Sequence, residues 1–291
     1  MSDPSRGANE PWTHGEAVAN GVRLHYVEMG RGPLVVLLHG FPEFWYAWRH
    51  QLPALAAAGF RAVAPDLRGY NLSEKPRGVR AYGMAELVED VAALVRHLGE
   101  ERAHVTGHDW GGVVAWFLAM HRPEIVERLA VANAPHPVAF RCELRRPDQM
   151  LRSAYAAFFQ LPWLPEAVLR AGDFALLMRV FRTEPARPGA FTEEDLRRYR
   201  EALARPGALT AMLNYYRAAL RTRPLAPRTV RAPTLLLWGE RDRHLSVRMT
   251  EGLERGVPNL RVERLPGASH WVMADEPETV NRLLTGFLRA G

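Results

Sequence analysis

The residues Gly107-His108-Asp109-Trp110-Gly111-Gly112 stand between a short apolar run and a segment with helical spacing. Small residues two before and two after a central side chain let the backbone turn sharply from strand to helix. That turn lifts the central side chain clear of a sheet edge. Asp109 holds the lifted position, with Gly107 and Gly111 on either side. A carboxylate is a weak nucleophile toward carbonyl carbon. It attacks saturated carbon well when a good leaving group is present, and the product is an ester to the protein. Asp109 would also serve as an N-cap for a helix starting at Trp110. The glycines on both sides favour the turn.

Two further groups follow in the order nucleophile, acid, histidine. Asp242 comes just after a predicted strand at 234–238, and His270 after one at 260–265. A histidine oriented by a carboxylate is a general base able to deliver water to an ester. Glu240 and Asp66 are rival acids, and the loop after 128–132 offers only Asn133. His39-Gly40-Phe41-Pro42 follows the apolar run 34–38, at the loop position that supplies one N–H to a developing oxyanion. The expected donors are the backbone N–H groups of Phe41 and Trp110. His108 is expected to pack inside the turn rather than to catalyse.

These groups need a parallel sheet to gather them. The runs 34–38 (LVVLL), 61–65, 103–106, 128–132, 234–238 and 260–265 read as strands. An unbroken apolar run such as LVVLL suits a strand covered on both faces. Residues 16–29 alternate around Asn20-Gly21, a hairpin signal. Helical spacing marks 84–98, which stops at Gly99, and also 110–121 and 277–289. Strands alternating with helices imply an α/β fold with a mainly parallel sheet. The alternation fails between about 135 and 228, where only helical segments such as 150–159, 166–181 and 207–220 appear. The expected organisation is a core at 1–134 and 229–291 with an α-helical lid at 135–228.

Composition excludes several classes. Hydrophobic residues are 47% and charged residues 24% of 291, so the chain is neither disordered nor fibrous. Cys142 is the only cysteine, which rules out an internal disulfide and a cysteine metal cluster and fits a cytoplasmic location. Met1 to Glu10 is polar, unlike a signal peptide, and no run of ~18 apolar residues is present to span a membrane. The net charge is +6. Residues 141–231 hold 17 Arg against 9 acidic groups, a net of +8, while the remainder is at −2. The excess is scattered, and Lys75 is the sole lysine, which reads as coding bias rather than a nucleic-acid patch. No metal or cofactor is expected.

Through LLHGFPEFWYAWRHQLPAL, APDLRGYNLSEKP, VTGHDWGG, NAPHP, WGERDRHL and GASHWV the chain resembles the epoxide hydrolase group of the α/β-hydrolase fold, over most of 20–290. HGFPE with GHDWGG is specific to the branch with an Asp nucleophile, which haloalkane and haloacid dehalogenases share. The resemblance implies two lid tyrosines whose hydroxyls hold the epoxide oxygen. Residues 155–162 (YAAFFQLP) place the first at Tyr155, and 214–217 (NYYR) place the second at Tyr216, with Tyr215 as its neighbour and alternative. It implies a small apolar epoxide and water as substrates and a vicinal diol as product. Dehalogenation, or silent binding of a small ligand, are the alternatives. His39, Pro42, Trp45, Phe158, Trp163 and Trp271 are expected to line the pocket, with Trp48 and Phe159 in the pocket or the lid core.

Overall fold

The computed structural model describes residues 10–290. Most of the polar Met1–Glu10 stretch, and Gly291, lie outside the described residues. The strands are β1 (Thr13–Ala19), β2 (Val22–Met29), β3 (Leu34–Leu38), β4 (Arg61–Pro65), β5 (Ala103–His108), β6 (Val126–Ala132), β7 (Thr234–Gly239) and β8 (Leu260–Leu265). They form one eight-stranded sheet in the order β1-β2-β4-β3-β5-β6-β7-β8. β1 and β2 form a hairpin in which Asn20 and Gly21 both have positive φ, the twist a tight two-residue turn requires. β2 is antiparallel to β4, and the pairs from β4 through β8 are parallel.

The parallel strands β3, β5 and β7 are buried along their whole length, because helices cover both faces. These helices are α1 (Gln51–Ala57), α2 (Met84–His97), α3 (Asp109–His121), and, at the C-terminal end, α10 (Val272–Asp275) and α11 (Pro277–Arg289). From β3 the chain crosses to β4 on one side, then returns to β5 on the other. Such a reversal opens a crevice beyond the C-terminal ends of the two flanking strands, since their loops leave in opposite directions. Here it separates the loop after Leu38 from the turn after His108.

The turn is tight enough to exclude side chains. Asp109 sits at φ +49. A Cβ on Gly107 would lie 2.4 Å from the carbonyl oxygen of Gly111, and one on Gly111 would lie 2.2 Å from that of Leu38.

Between β6 and β7 the described residues contain helices and no strand. These are α4 (Pro137–Glu143), α5 (Pro147–Arg152), α6 (Ala154–Phe158), α7 (Leu164–Thr183), α8 (Glu193–Ala204) and α9 (Ala208–Arg221). The helical spacing of 150–159 predicts one helix; the structure breaks it at Ser153. The spacing of 166–181 likewise hides a break inside α7, where Gly172, Asp173 and Phe174 all take positive φ. Apolar periodicity survives a local break, so it cannot report one. α8 starts from a capping box in which Thr192 and Asp195 satisfy each other's backbone N–H. None of the helices among the described residues is long and apolar enough to cross a membrane.

The atom that a side chain at Gly107 would strike belongs to the backbone, so it cannot swing away. Gly107→Ala is therefore expected to cost about 3 kcal/mol or more. Urea unfolding of the variant checks this; an unchanged midpoint would mean the turn relaxes freely.

Candidate active site

The strand-to-helix turn puts Asp109 at the first residue of α3, and its side chain is only partly exposed. The loop after β3 approaches so closely that a Cβ on Gly40 would fall 2.4 Å from the Asp109 carboxylate. That approach lets the backbone N–H of Phe41 donate to Asp109 Oδ1 at 2.7 Å. The other oxygen, Oδ2, faces His270 Nε2 at 3.7 Å. The two carboxylate oxygens are thus held in different surroundings. Trp110 is the second residue of α3, and its N–H is among the first amides of a helix, which have no partner within it.

His270 Nδ1 lies 2.7 Å from Asp242 Oδ2. Asp242 also accepts from Asn133 Nδ2 at 2.8 Å, from the N–H of His244 at 2.7 Å and from the N–H of Leu245 at 2.9 Å. Burial alone would raise its pKa. The His270 imidazole beside it, its hydrogen bond, and the neighbouring donors more than offset that and hold the carboxyl down at about 2. The rival acids are elsewhere. Asp66 is fully buried and engaged by His25, Asn71 and the N–H groups of Trp45 and Leu72. Glu240 is exposed.

Tyr155 on α6 and Tyr216 on α9 meet over this centre. Their rings are 5.9 Å apart and edge-on. The Trp110 ring packs edge-on against that of Tyr216, with centroids 5.1 Å apart. Burial, then the nearby carboxylates, push both phenols well above their ordinary pKa, so both keep their protons. Phe41 and Phe159 wall the same space, with rings 5.4 Å and 5.0 Å from Tyr216. Tyr215 points away, donating to the Arg68 carbonyl at 2.8 Å and packing on Tyr70 and Tyr82.

Several pocket expectations need correction. Trp163 is 73% exposed at the start of α7, outside the pocket. Trp45 is buried, but its ring packs on Trp12, His14, Phe44 and Tyr46, behind the loop rather than over Asp109. Trp48 is fully buried in the core. Phe158 is half-buried and touches Phe159, and it is Phe159 that reaches Tyr155 and Tyr216. His39 is fully buried beneath its loop, where Nε2 accepts from the Leu67 N–H and Nδ1 faces the Gly40 carbonyl. Pro42 is buried next to Phe41. Trp271 is buried behind His270, with ring centroids 5.3 Å apart. Aromatic residue types signal burial, not which cavity they wall.

Two polar pairs escape sequence reasoning. His108 Nδ1 faces Glu43 Oε2 at 3.0 Å and its Nε2 faces the His270 carbonyl at 2.9 Å. Burial lowers the His108 pKa, but the Glu43 hydrogen bond and charge more than offset it and raise it, which favours a doubly protonated ring facing an ionised Glu43. Glu43 is its buried counter-charge, and also accepts from the Tyr199 hydroxyl of α8 at 3.0 Å. The second pair, His244 with Glu184, is 2.8 Å apart, and the His244 ring lies 5.3 Å from that of His270 and 5.7 Å from that of Tyr155. Glu43 was visible only as the last letter of HGFPE.

A carboxylate at the turn after β5, an acid after β7 and a histidine after β8 on this sheet define the α/β-hydrolase class. Residues 33–277 match the α/β hydrolase fold family. The chain is 47% identical over 275 residues to the AB hydrolase superfamily protein YfhM of Bacillus subtilis, covering 93% of this chain and 96% of that protein. It is 41% identical over 297 residues to Epoxide hydrolase 4 of Homo sapiens, covering 99% and 81%. The crystal structure of a Bacillus megaterium epoxide hydrolase with an inhibitor superposes with a TM-score of 0.87 at 34% identity, covering 94% and 99%. The chain belongs to the epoxide hydrolase family.

Asp242 has a folded-state pKa below its ordinary 3.8. Its charge therefore stabilises the fold fully above about pH 4, and that contribution is lost as pH falls toward about 2. Asp242→Asn is expected to be less stable than the parent at pH 6, with the gap narrowing as pH falls below 4. Urea unfolding of both proteins across that range checks it; a gap that is constant with pH would separate the loss from the charge.

Proposed function

We propose that this protein hydrolyses an epoxide to a vicinal diol in two steps carried by its own side chains and water. Asp109 Oδ2 attacks an epoxide carbon and the carbon–oxygen bond breaks. The departing oxygen takes hydrogen bonds, and finally a proton, from Tyr155 and Tyr216. The product of this step is an alkyl ester of Asp109. His270, oriented by Asp242, then removes a proton from water as that water adds to Cγ of the ester. Negative charge develops on Oδ1, the oxygen that already accepts from the Phe41 N–H at 2.7 Å, with Trp110 N–H as the second donor. Collapse breaks the bond from Cγ to the ester oxygen, which leaves as the diol's second hydroxyl with the proton from His270. The water's other proton, left on the Asp109 carboxyl, passes to the phenolate, so carboxylate, imidazole and phenol are all restored.

The observation that carries this reading is the pair of protonated phenols that meet edge-on, with rings 5.9 Å apart, beside the carboxylate. An opened epoxide leaves as an alkoxide, a poor leaving group that needs a proton donor. A halide needs none, so the phenols favour an epoxide over a carbon–halogen bond. The walls formed by Phe41, Phe159 and Trp110 suit an apolar substituent. In this reading the helices α4 to α9 act as a lid that carries the donors, and the lone cysteine fits a reducing compartment such as the cytoplasm.

His270→Gln removes the base of the second step and leaves the first intact. Incubation with styrene oxide is expected to leave a covalent adduct on Asp109, detected by mass spectrometry of the digested protein. Substrate that binds without ever forming the adduct would exclude the two-step route.

Tyr155→Phe and Tyr216→Phe keep each ring and remove one donor. Each single variant is expected to lose up to about 100-fold in single-turnover ester formation, because one phenol remains. The double variant is expected to lose more than about 10³-fold, since an oxyanion donor is worth about 10²–10³ in rate. Ester formation at the parent rate in the double variant would transfer the assignment to halide displacement.

A further inference from the structure

The lid's outer surface has two properties that rarely coincide on a face in contact only with water. Nine of the ten large hydrophobic side chains that stand well exposed among the described residues fall within 135–228. The same part of the chain holds the positive charge: residues 141–231 carry a net +8 while the rest of the protein is at −2. Scattered arginines read from sequence as solvated surface; the fold sets them beside exposed leucine, valine and tryptophan.

The juxtaposition is built. Arg217 donates to the carbonyls of Phe159 at 3.0 Å and Leu161 at 2.7 Å, and Arg221 donates to that of Gln160 at 2.8 Å. These bonds pin the turn between α6 and α7 against the end of α9. They bring Leu161 and Trp163, at 44% and 73% exposure, to the same surface as Leu220 at 74%. Leu164 and Val168, four residues apart on α7, continue the apolar surface along that helix. Trp163 is held there at φ +50 with no capping side chain, a conformation that costs energy and so calls for a reason. Among the described residues Arg170, Arg221 and Arg223 are exposed and pair with no carboxylate.

We propose that this face of the lid is a docking surface for an anionic lipid bilayer, on which the protein rests without spanning it. An indole and aliphatic side chains ringed by arginines match the boundary between acyl chains and negatively charged headgroups. A second copy of the chain fits poorly, because its own arginines would face these. A nucleic acid would satisfy the arginines but leave the leucines and the indole in water. Docking would set the lid against the phase in which apolar epoxides concentrate.

The test is co-sedimentation with phosphatidylcholine vesicles with and without phosphatidylglycerol, in the absence of substrate, so that it stands apart from the proposed reaction. Binding to the anionic vesicles is expected to exceed binding to the neutral ones by at least about tenfold, and to fall as salt screens the charges. Brominated lipid is expected to quench tryptophan emission in the parent and not in Trp163→Ser. The double variants Trp163→Ser/Leu220→Ser and Arg170→Glu/Arg223→Glu are each expected to weaken binding about tenfold or more, with thermal unfolding unchanged because the altered side chains are exposed. Equal partition of the parent onto both vesicles, no binding to either, or full binding by both double variants would overturn the proposal. So would a concentration-dependent dimer that Trp163→Ser/Leu220→Ser abolishes, since the face would then belong to a second copy.

Discussion

Everything in the centre depends on the 2.7 Å bond from the Phe41 N–H to Asp109 Oδ1. For it to form, two chain segments that are 68 residues apart must come closer than side chains allow. Gly40, Gly107 and Gly111 are the positions where any Cβ would collide. The turn also holds Asp109 at positive φ, a cost of order 1–3 kcal/mol that the surrounding packing must offset. The strand order supplies that packing, since β3 and β5 are neighbours and their loops diverge on either side of the crevice. The bond then distinguishes two otherwise equivalent oxygens, one held by an amide and one turned toward His270.

Charge beneath this bond is arranged in pairs that solvent does not reach. Glu43 and His108 are each buried, and either one alone would be a charge without a partner. Together they fasten the loop after β3, the turn after β5, the main chain at His270 and, through Tyr199, the helical insertion. Asp242 is handled differently: four donors converge on one carboxylate, so it stays ionised at full burial. The numerous arginine–glutamate pairs on α8 are exposed, and such pairs are worth only about 0–1 kcal/mol each. The buried pairs therefore set the geometry of the centre, and the surface pairs do not.

The helical insertion has two faces with different roles. Its inner face presents Tyr155, Phe159 and Tyr216 to the core, in edge-on ring contacts that fix the phenols without using their hydroxyls. Its outer face leaves apolar side chains in the open.

The alternation of strands and helices, the turn at Asp109 and the order of Asp109, Asp242 and His270 can be read from the residues alone. These follow from local rules: apolar period, glycine where a side chain cannot fit, and chain order along a parallel sheet. The sequence left Tyr215 and Tyr216 as alternatives, because neighbours on a helix differ by about 100° in direction and nothing local says which direction faces the core. It favoured Asp242 over Asp66 and Glu240 by chain order alone, and it could not show that Glu43 pairs with His108 and Glu184 with His244. It also placed Trp45 and Trp163 in the pocket, where the structure has one behind a loop and the other in the open. These points emerge only once the chain is packed. Each rests on contacts between residues tens to more than a hundred positions apart, and burial, ion pairing and ring packing are properties of those contacts rather than of residue type.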